Sequence, residues 1–136
     1  TMEDLLRKFD PVAALVGRLL LSLIFIAAGF SKMTGDPAGT TAYMESIGIP
    51  GFLFWPSALF EVLAGIAILI GFKTRIVAFL LAGFCLVTAV LAHADFSDQI
   101  QMTLFLKNIS MAGGFLILMR FGAGEMSLDN RTASND

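Results

Sequence analysis

The side chains that could do chemistry in this sequence are six polar residues within or beside long apolar stretches. They are Arg18, Lys32, Glu61, His93, Lys107 and Asn108. A charged side chain at the centre of a membrane-spanning helix is unfavourable by about 3 kcal/mol on insertion scales, so such residues pair with one another or serve a function. We therefore treat the six as one polar cluster that could bind a ligand.

The central interaction expected in this cluster is an ion pair between Glu61 and Lys107. At the helical rise of about 1.5 Å per residue, Glu61 lies about 14 Å and Lys107 about 8 Å below the same membrane boundary. Their flexible side chains close most of this gap, and Asn108 would support the pair. Because desolvation offsets much of the attraction between buried charges, two interpretations stay open. The pair fixes the helix register, or Glu61 is a proton-accepting or ligand-binding carboxylate.

The other three polar residues have both a simple and a functional interpretation. Lys32 and His93 lie near the boundary above Glu61, where a lysine can extend to the headgroups and a histidine can cap a helix. Together with Glu61 and Lys107 they would instead line one outward-opening pocket. Arg18, in the opposite half, would extend to the surface or pack between helices. Its functional alternative is recognition of an anionic lipid headgroup or a quinone carbonyl.

Several other chemistries find no support in the residue pattern. Cys85 is the one cysteine, so the chain has no CxxC pair and no internal disulfide. One histidine cannot provide bis-histidine haem ligation, and no ExxH spacing suggests a zinc or di-iron site. We therefore expect no metal site and no certain cofactor.

The composition places these residues in a membrane. Of the 136 residues, 57% are hydrophobic and 15% are charged, and the mean hydropathy is +0.81. Soluble domains are about half apolar and about one quarter charged. The net charge of −2 is too small to argue for or against a partner, and no basic run suggests a nucleic-acid partner. The length suits a single domain over residues 1–136.

The hydropathy pattern predicts an all-α, polytopic membrane protein with a bundle of four transmembrane helices. The expected spans are residues 12–30, 52–72, 76–93 and 100–121. A short amphipathic helix is expected before the first span, and an interfacial helix between the first two. The polar tail, residues 122–136, is expected to fray.

The spacing of small and polar residues predicts which helix faces turn inward. The expected inward residues are Arg18, Ser22, Phe25, Gly29 and Lys32 on the first span, Ser57, Glu61 and Gly65 on the second, Ala78 and Ala82 on the third, and Lys107, Ser110, Met111 and Gly114 on the fourth. Basic residues collect on the side of the termini, namely Arg7, Lys8, Lys73, Arg75, Arg120 and Arg131. The positive-inside rule then places both termini in the cytoplasm.

The order and spacing of several segments resemble the DoxX family of small bacterial membrane proteins. They are GRLLLSLIFIAAGFSKM (17–33), YMESIGIP (43–50), GFKTR (71–75) after the span with Glu61, the histidine that closes the third span, and FLKNISMAGGFLIL (105–118). The resemblance implies a four-helix bundle in the bacterial cytoplasmic (inner) membrane. It also implies that the six polar residues of the cluster are family positions.

The resemblance further implies an accessory subunit of a quinone-linked oxidoreductase assembly, non-catalytic rather than an autonomous enzyme, with quinone as the candidate cofactor. Two alternatives stay open: a structural or interaction subunit without chemistry of its own, and a small carrier that binds a lipid or solute. The expected partners are the lipid bilayer and either other membrane protein subunits or further copies of this chain.

Overall fold

The computed structural model describes residues 1–133, which form α-helices and turns without a strand. The helices are α1 (Met2–Arg7), α2 (Asp10–Thr34), α3 (Pro37–Ser46), α4 (Phe54–Ile70), α5 (Thr74–Ala92), α6 (Gln99–Phe121) and α7 (Leu128–Ala133), with a 3₁₀ turn at Gly51–Leu53 before α4. This order confirms the all-α prediction, including the short helix before the first span and the helix between the first two.

Four of these helices are long and apolar enough to cross a membrane: α2, α4 with its preceding 3₁₀ turn, α5 and α6. Even α5, with 19 residues, is about 28 Å long at the helical rise, which matches a bilayer core. The first span begins at Asp10, and Phe9 occupies its N-cap without a side-chain hydrogen bond. The helix therefore starts two residues before residue 12, the expected start of this span.

The bundle consists of two antiparallel helix pairs, α2 with α4 and α5 with α6, joined where α4 meets α5. The first pair is close because glycines lie at its contact. A Cβ on Gly29 would be 2.8 Å from the Ala58 carbonyl oxygen, and one on Gly65 would be 2.8 Å from Ile26 Cγ1. Burial of Arg18 and Gly29 among the inward residues of α2 confirms the predicted stripe on that helix.

An aromatic cluster forms the middle of the core. The Phe25 ring lies 5.5 Å from that of Phe115 and 6.5 Å from that of Phe84, and Phe60 lies 5.4 Å from Phe84, measured between centroids. These four rings come from α2, α6, α5 and α4, so they link all four spans. We call the end of the bundle with α1, the α4–α5 turn and α7 the terminus side, and the end with α3 the loop side.

The predicted inward face of α6 is only half correct: Met111 and Gly114 are half-buried, and Met111 packs against the core, but the other two predicted residues are not buried. Lys107 and Ser110 are exposed, whereas Ala112 and Phe115 are the buried residues of this helix. The physical reason is that α6 packs through an apolar face, which turns the lysine to its flank and away from the core. Ser57, by contrast, is half-buried beside the buried Glu61 on α4, as predicted.

The tail is also more ordered than the sequence suggested. Residues 122–127 follow α6 and lead into α7, with the Ala123 and Ser127 side chains buried. The expectation of fraying is therefore wrong for residues 122–133, while residues 134–136 lie outside the described range. The tail covers the terminus side of the bundle, where its contacts with Arg18 and the α4–α5 turn hold it.

Candidate functional site

The ion pair within the bundle joins Lys32 to Glu61. Lys32 Nζ lies 2.9 Å from Glu61 Oε2 and 3.1 Å from Oε1, so it donates to both carboxylate oxygens. The Glu61 side chain is 6% exposed and that of Lys32 is 39% exposed. The expected Glu61–Lys107 pair is therefore wrong: the glutamate has a lysine partner, but this partner comes from the end of α2.

The local geometry of α2 and α4 explains this choice of partner. Gly29, one turn before Lys32, lets the two helices approach, since a Cβ there would be 3.1 Å from Glu61 Cβ. Helical side chains point back toward the N-terminus of their helix, so Lys32 extends from the end of α2 toward the middle of the bundle.

His93 and Asn108 make their hydrogen bonds away from the Lys32–Glu61 pair. His93 Nδ1 lies 2.9 Å from Gln101 Oε1, which ties the end of α5 to the start of α6. Asn108 Nδ2 donates to the Leu104 carbonyl oxygen of its own helix at 3.3 Å. His93 does close the third span, as predicted. Neither side chain is hydrogen-bonded to Glu61.

Lys107 lies outside the bundle core. Its side chain borders an open concavity of about 310 Å³ on α6, together with Gln99, Ile100, Thr103 and Leu104. Within residues 1–133 no carboxylate forms an ion pair with it. Among the described residues, this concavity is lined by none of Lys32, Glu61 and His93, so it does not unite the four residues of the expected pocket.

Arg18 is a helix-capping residue. It is 1% exposed, which contradicts a side chain extended to the surface and confirms the helix-packing interpretation. Nη1 donates to the carbonyl oxygens of Ile68 and Leu69 at 3.1 and 2.8 Å, and Nη2 donates to that of Met126. A cation here satisfies carbonyls at the C-terminal end of α4, where the helix dipole is negative. The same guanidinium holds the tail.

Asp129 was missed by the sequence reasoning. Its carboxylate accepts hydrogen bonds from the N–H groups of Lys73 and Thr74 at 2.6 and 2.8 Å, and its own N–H donates to the Gly71 carbonyl at 2.8 Å. Burial acts to raise the pKa of Asp129, but these hydrogen bonds and the Lys73 charge outweigh it and hold the pKa below its ordinary value. The signal available in the sequence was a missing cap, because Lys73 at the N-cap of α5 offers no acceptor.

Four apolar spans, a lysine–glutamate pair with a buried carboxylate, and a capped terminus side define a small polytopic membrane protein. The family model described as DoxX matches residues 13–94. The chain belongs to the DoxX family.

Two relatives from Escherichia coli (strain K12) match almost end to end. "Inner membrane protein YqjF" is 44% identical over 91% of this chain and 95% of its own length. "Inner membrane protein YphA" is 41% identical over 93% of this chain and 98% of its own length. A relative from Bacillus subtilis (strain 168), "Putative oxidoreductase CatD", is 34% identical over 57% of each chain. No solved structure matches this chain.

Proposed function

We propose that this protein is an accessory membrane subunit of a quinone-linked oxidoreductase assembly, in which Lys32 and Glu61 contribute to a quinone-headgroup site. The observation that carries the proposal is the Lys32–Glu61 pair, in which the carboxylate is covered and the ammonium is partly exposed. The oxidoreductase name of the Bacillus subtilis relative supports the redox association.

The donor set of the ion pair fits a quinone carbonyl. A lysine ammonium has three N–H donors, and Glu61 accepts two hydrogen bonds from Lys32 Nζ. The third donor is free to bind and orient a carbonyl oxygen, while Glu61 keeps the ammonium in place. A bound quinone would supply the two-electron chemistry, and the chain itself supplies positioning.

Co-purification tests this function directly. Protein extracted from its native membrane in mild detergent should carry quinone and a redox enzyme, and Lys32→Met should lose most of the quinone while keeping its helical circular dichroism. Lys8→Met, the same change at an exposed residue of the terminus side, is the matched control. Absence of both quinone and any redox enzyme from the wild-type preparation would reject the proposal.

The proposal includes an orientation with the terminus side in the cytoplasm. Support comes from the basic residues of α1, of the α4–α5 turn and of the end of α6, compared with Lys32 near the loop side. Cysteines placed at Ser97 and at Thr132 test it in intact cells. A membrane-impermeant thiol reagent should label the Ser97→Cys variant alone, and labelling of Thr132→Cys alone would reverse the orientation.

A structural subunit without chemistry is the second candidate. It is favoured by the position of the ion pair one turn from the close α2–α4 contact at Gly29. In that case replacing both charges with leucine should preserve the assembly as well as the fold, because a buried ion pair can often be exchanged for apolar residues without loss of stability. Loss of the assembly in a stably folded double variant would favour the quinone-linked function.

A further inference from the structure

The exposed flank of α6 carries polar and small residues where a lipid-facing helix should be apolar. Thr103, Lys107 and Ser110 are exposed, and Gly114 continues the same line at four-three-four spacing. A Cβ on Gly114 would be 3.3 Å from Leu21 Cδ2 of α2, so the line ends where α6 meets α2. We call these four residues the α6 polar stripe.

Lys107 needs a negative charge that residues 1–133 do not offer. It lies eight residues into α6, about 12 Å along the helix from Gln99 at the helical rise. Glu61, the carboxylate within the bundle, is already bound by Lys32. An uncompensated lysine in this environment is expensive and marks a functional or contact site.

Extension toward the headgroups does not account for the whole stripe. The Lys107 side chain can point back toward the loop side over Thr103, where the open concavity lies. Ser110, however, is almost one turn deeper in the span, and its short side chain cannot reach the surface. Small and hydroxyl-bearing residues in one line are typical of contacts between transmembrane helices.

A second copy of this chain is a poor occupant of the stripe. Two-fold pairing of parallel copies along α6 brings Lys107 of one copy toward Lys107 of the other, and like charges in low dielectric repel strongly. The carboxylate that a copy could offer within the membrane, Glu61, is 5% exposed and paired. Charge complementarity therefore requires a different chain.

We propose that the α6 polar stripe docks a transmembrane helix of another membrane protein, and that this helix carries an aspartate or glutamate opposite Lys107, in the membrane half nearer the loop side. The inference rests on the proposed accessory-subunit function and names the chemistry of the partner. The small Ser110 side chain admits the partner helix, and Lys107 selects its carboxylate.

Synthetic single-span peptides provide the test. One leucine–alanine helix carries a glutamate eight residues from its loop-side end, and its matched control carries glutamine at that position. Energy transfer between labelled full-length protein and labelled peptide, in vesicles of zwitterionic lipid, measures association. We expect the glutamate peptide to bind about tenfold more tightly than the glutamine peptide, the scale of a good interhelical polar contact.

Variants of Lys107 complete the test. Lys107→Met should remove the preference for the glutamate peptide, Lys107→Glu should transfer it to a lysine peptide, and Lys8→Met should leave it unchanged. Because Lys107 is exposed, these variants should keep the wild-type melting curve. Equal binding of both peptides, Lys107-dependent self-association, or displacement of the glutamate peptide by anionic lipid would each overturn the proposal.

This test and that of the proposed function can fail separately. The vesicles contain no redox enzyme or quinone, so the peptide preference reports the stripe alone. A glutamate preference without a co-purifying redox enzyme keeps the docking surface and rejects the oxidoreductase assignment. A co-purifying redox enzyme without a glutamate preference keeps the oxidoreductase assignment and means that the enzyme contacts another surface of this protein.

Discussion

Replacing either partner of the Lys32–Glu61 pair should destabilise the protein, and the two losses of stability should differ. Lys32→Leu leaves the glutamate without its cation, and Glu61→Leu leaves the lysine without its anion. The Glu61 side chain is 6% exposed, whereas that of Lys32 is 39% exposed. The orphaned lysine can therefore be solvated or turn to the headgroups, but the orphaned glutamate cannot.

The exposed fractions of the two side chains determine how much stability each replacement should remove. Removing one member of a fully buried pair costs about 3–5 kcal/mol, and we expect Lys32→Leu to lie at the lower end of this range because solvent already screens the ammonium. Glu61→Leu should cost less, about 1–2 kcal/mol, for the same reason. The double Leu variant should recover most of the summed loss of about 4–5 kcal/mol, giving a coupling energy of about 3 kcal/mol.

Circular dichroism during detergent-mediated unfolding measures these differences in one protein preparation. The matched control is the cycle of Glu61→Leu with Lys107→Leu, since Lys107 makes no ion pair with Glu61. Its coupling should stay below about 0.5 kcal/mol, the usual limit for independent sites. A larger coupling to Lys107 than to Lys32, or a greater loss from Glu61→Leu than from Lys32→Leu, would refute this geometry of the pair.

Three further predictions concern the terminus side and share one readout, cleavage after the exposed Glu125 by a glutamate-specific protease together with the unfolding curve. Arg18→Met should cost about 3 kcal/mol and release the tail, because carbonyls at the end of α4 lose charged donors; unchanged cleavage would contradict the tail contact. Gly71→Ala should also release it, since its φ is +72° and a Cβ there would overlap the Ser127 side chain; wild-type stability would disprove this packing. Asp129→Ala should cost about 1 kcal/mol as a lost cap, while Asp129→Asn keeps an acceptor and most of the stability. The pKa of Asp129 is lowered below about 3.9, so its charge stabilises the fold fully above about pH 4. This stabilisation disappears as the pH falls through the lowered pKa. Cleavage should therefore rise at low pH in the wild type and stay flat in the Asp129→Asn variant.

Sequence patterns predicted the parts of the fold that depend on local order. The helix at Pro37–Ser46 begins with Asp36, whose side chain accepts from the Gly39 N–H as an N-cap. The inward stripe of α2 was predictable because small and polar residues recur at helical spacing. The predicted face of α6 was wrong for Lys107 and Ser110, because these polar residues follow the same spacing without being buried.

The candidate site was predictable in composition but not in pairing. A glutamate in the middle of an apolar span needs a cation, and this need singles out Glu61 from the residue order alone. Two lysines lie at compatible depths, and depth alone does not distinguish them. Rotation of each helix about its own axis decides which lysine faces the glutamate, and that rotation depends on packing with every neighbouring helix.

The sequence by itself determined that the chain spans a membrane four times and that its intramembrane charges require partners, because hydropathy and the energy of a buried charge depend on residue type alone. Tertiary structure decided that Gly29 brings Lys32 to Glu61, that Lys107 remains on the outer flank of α6, and that Asp129 caps α5 across 55 residues of chain. These contacts join residues far apart in the chain, so they exist only once the helices have packed.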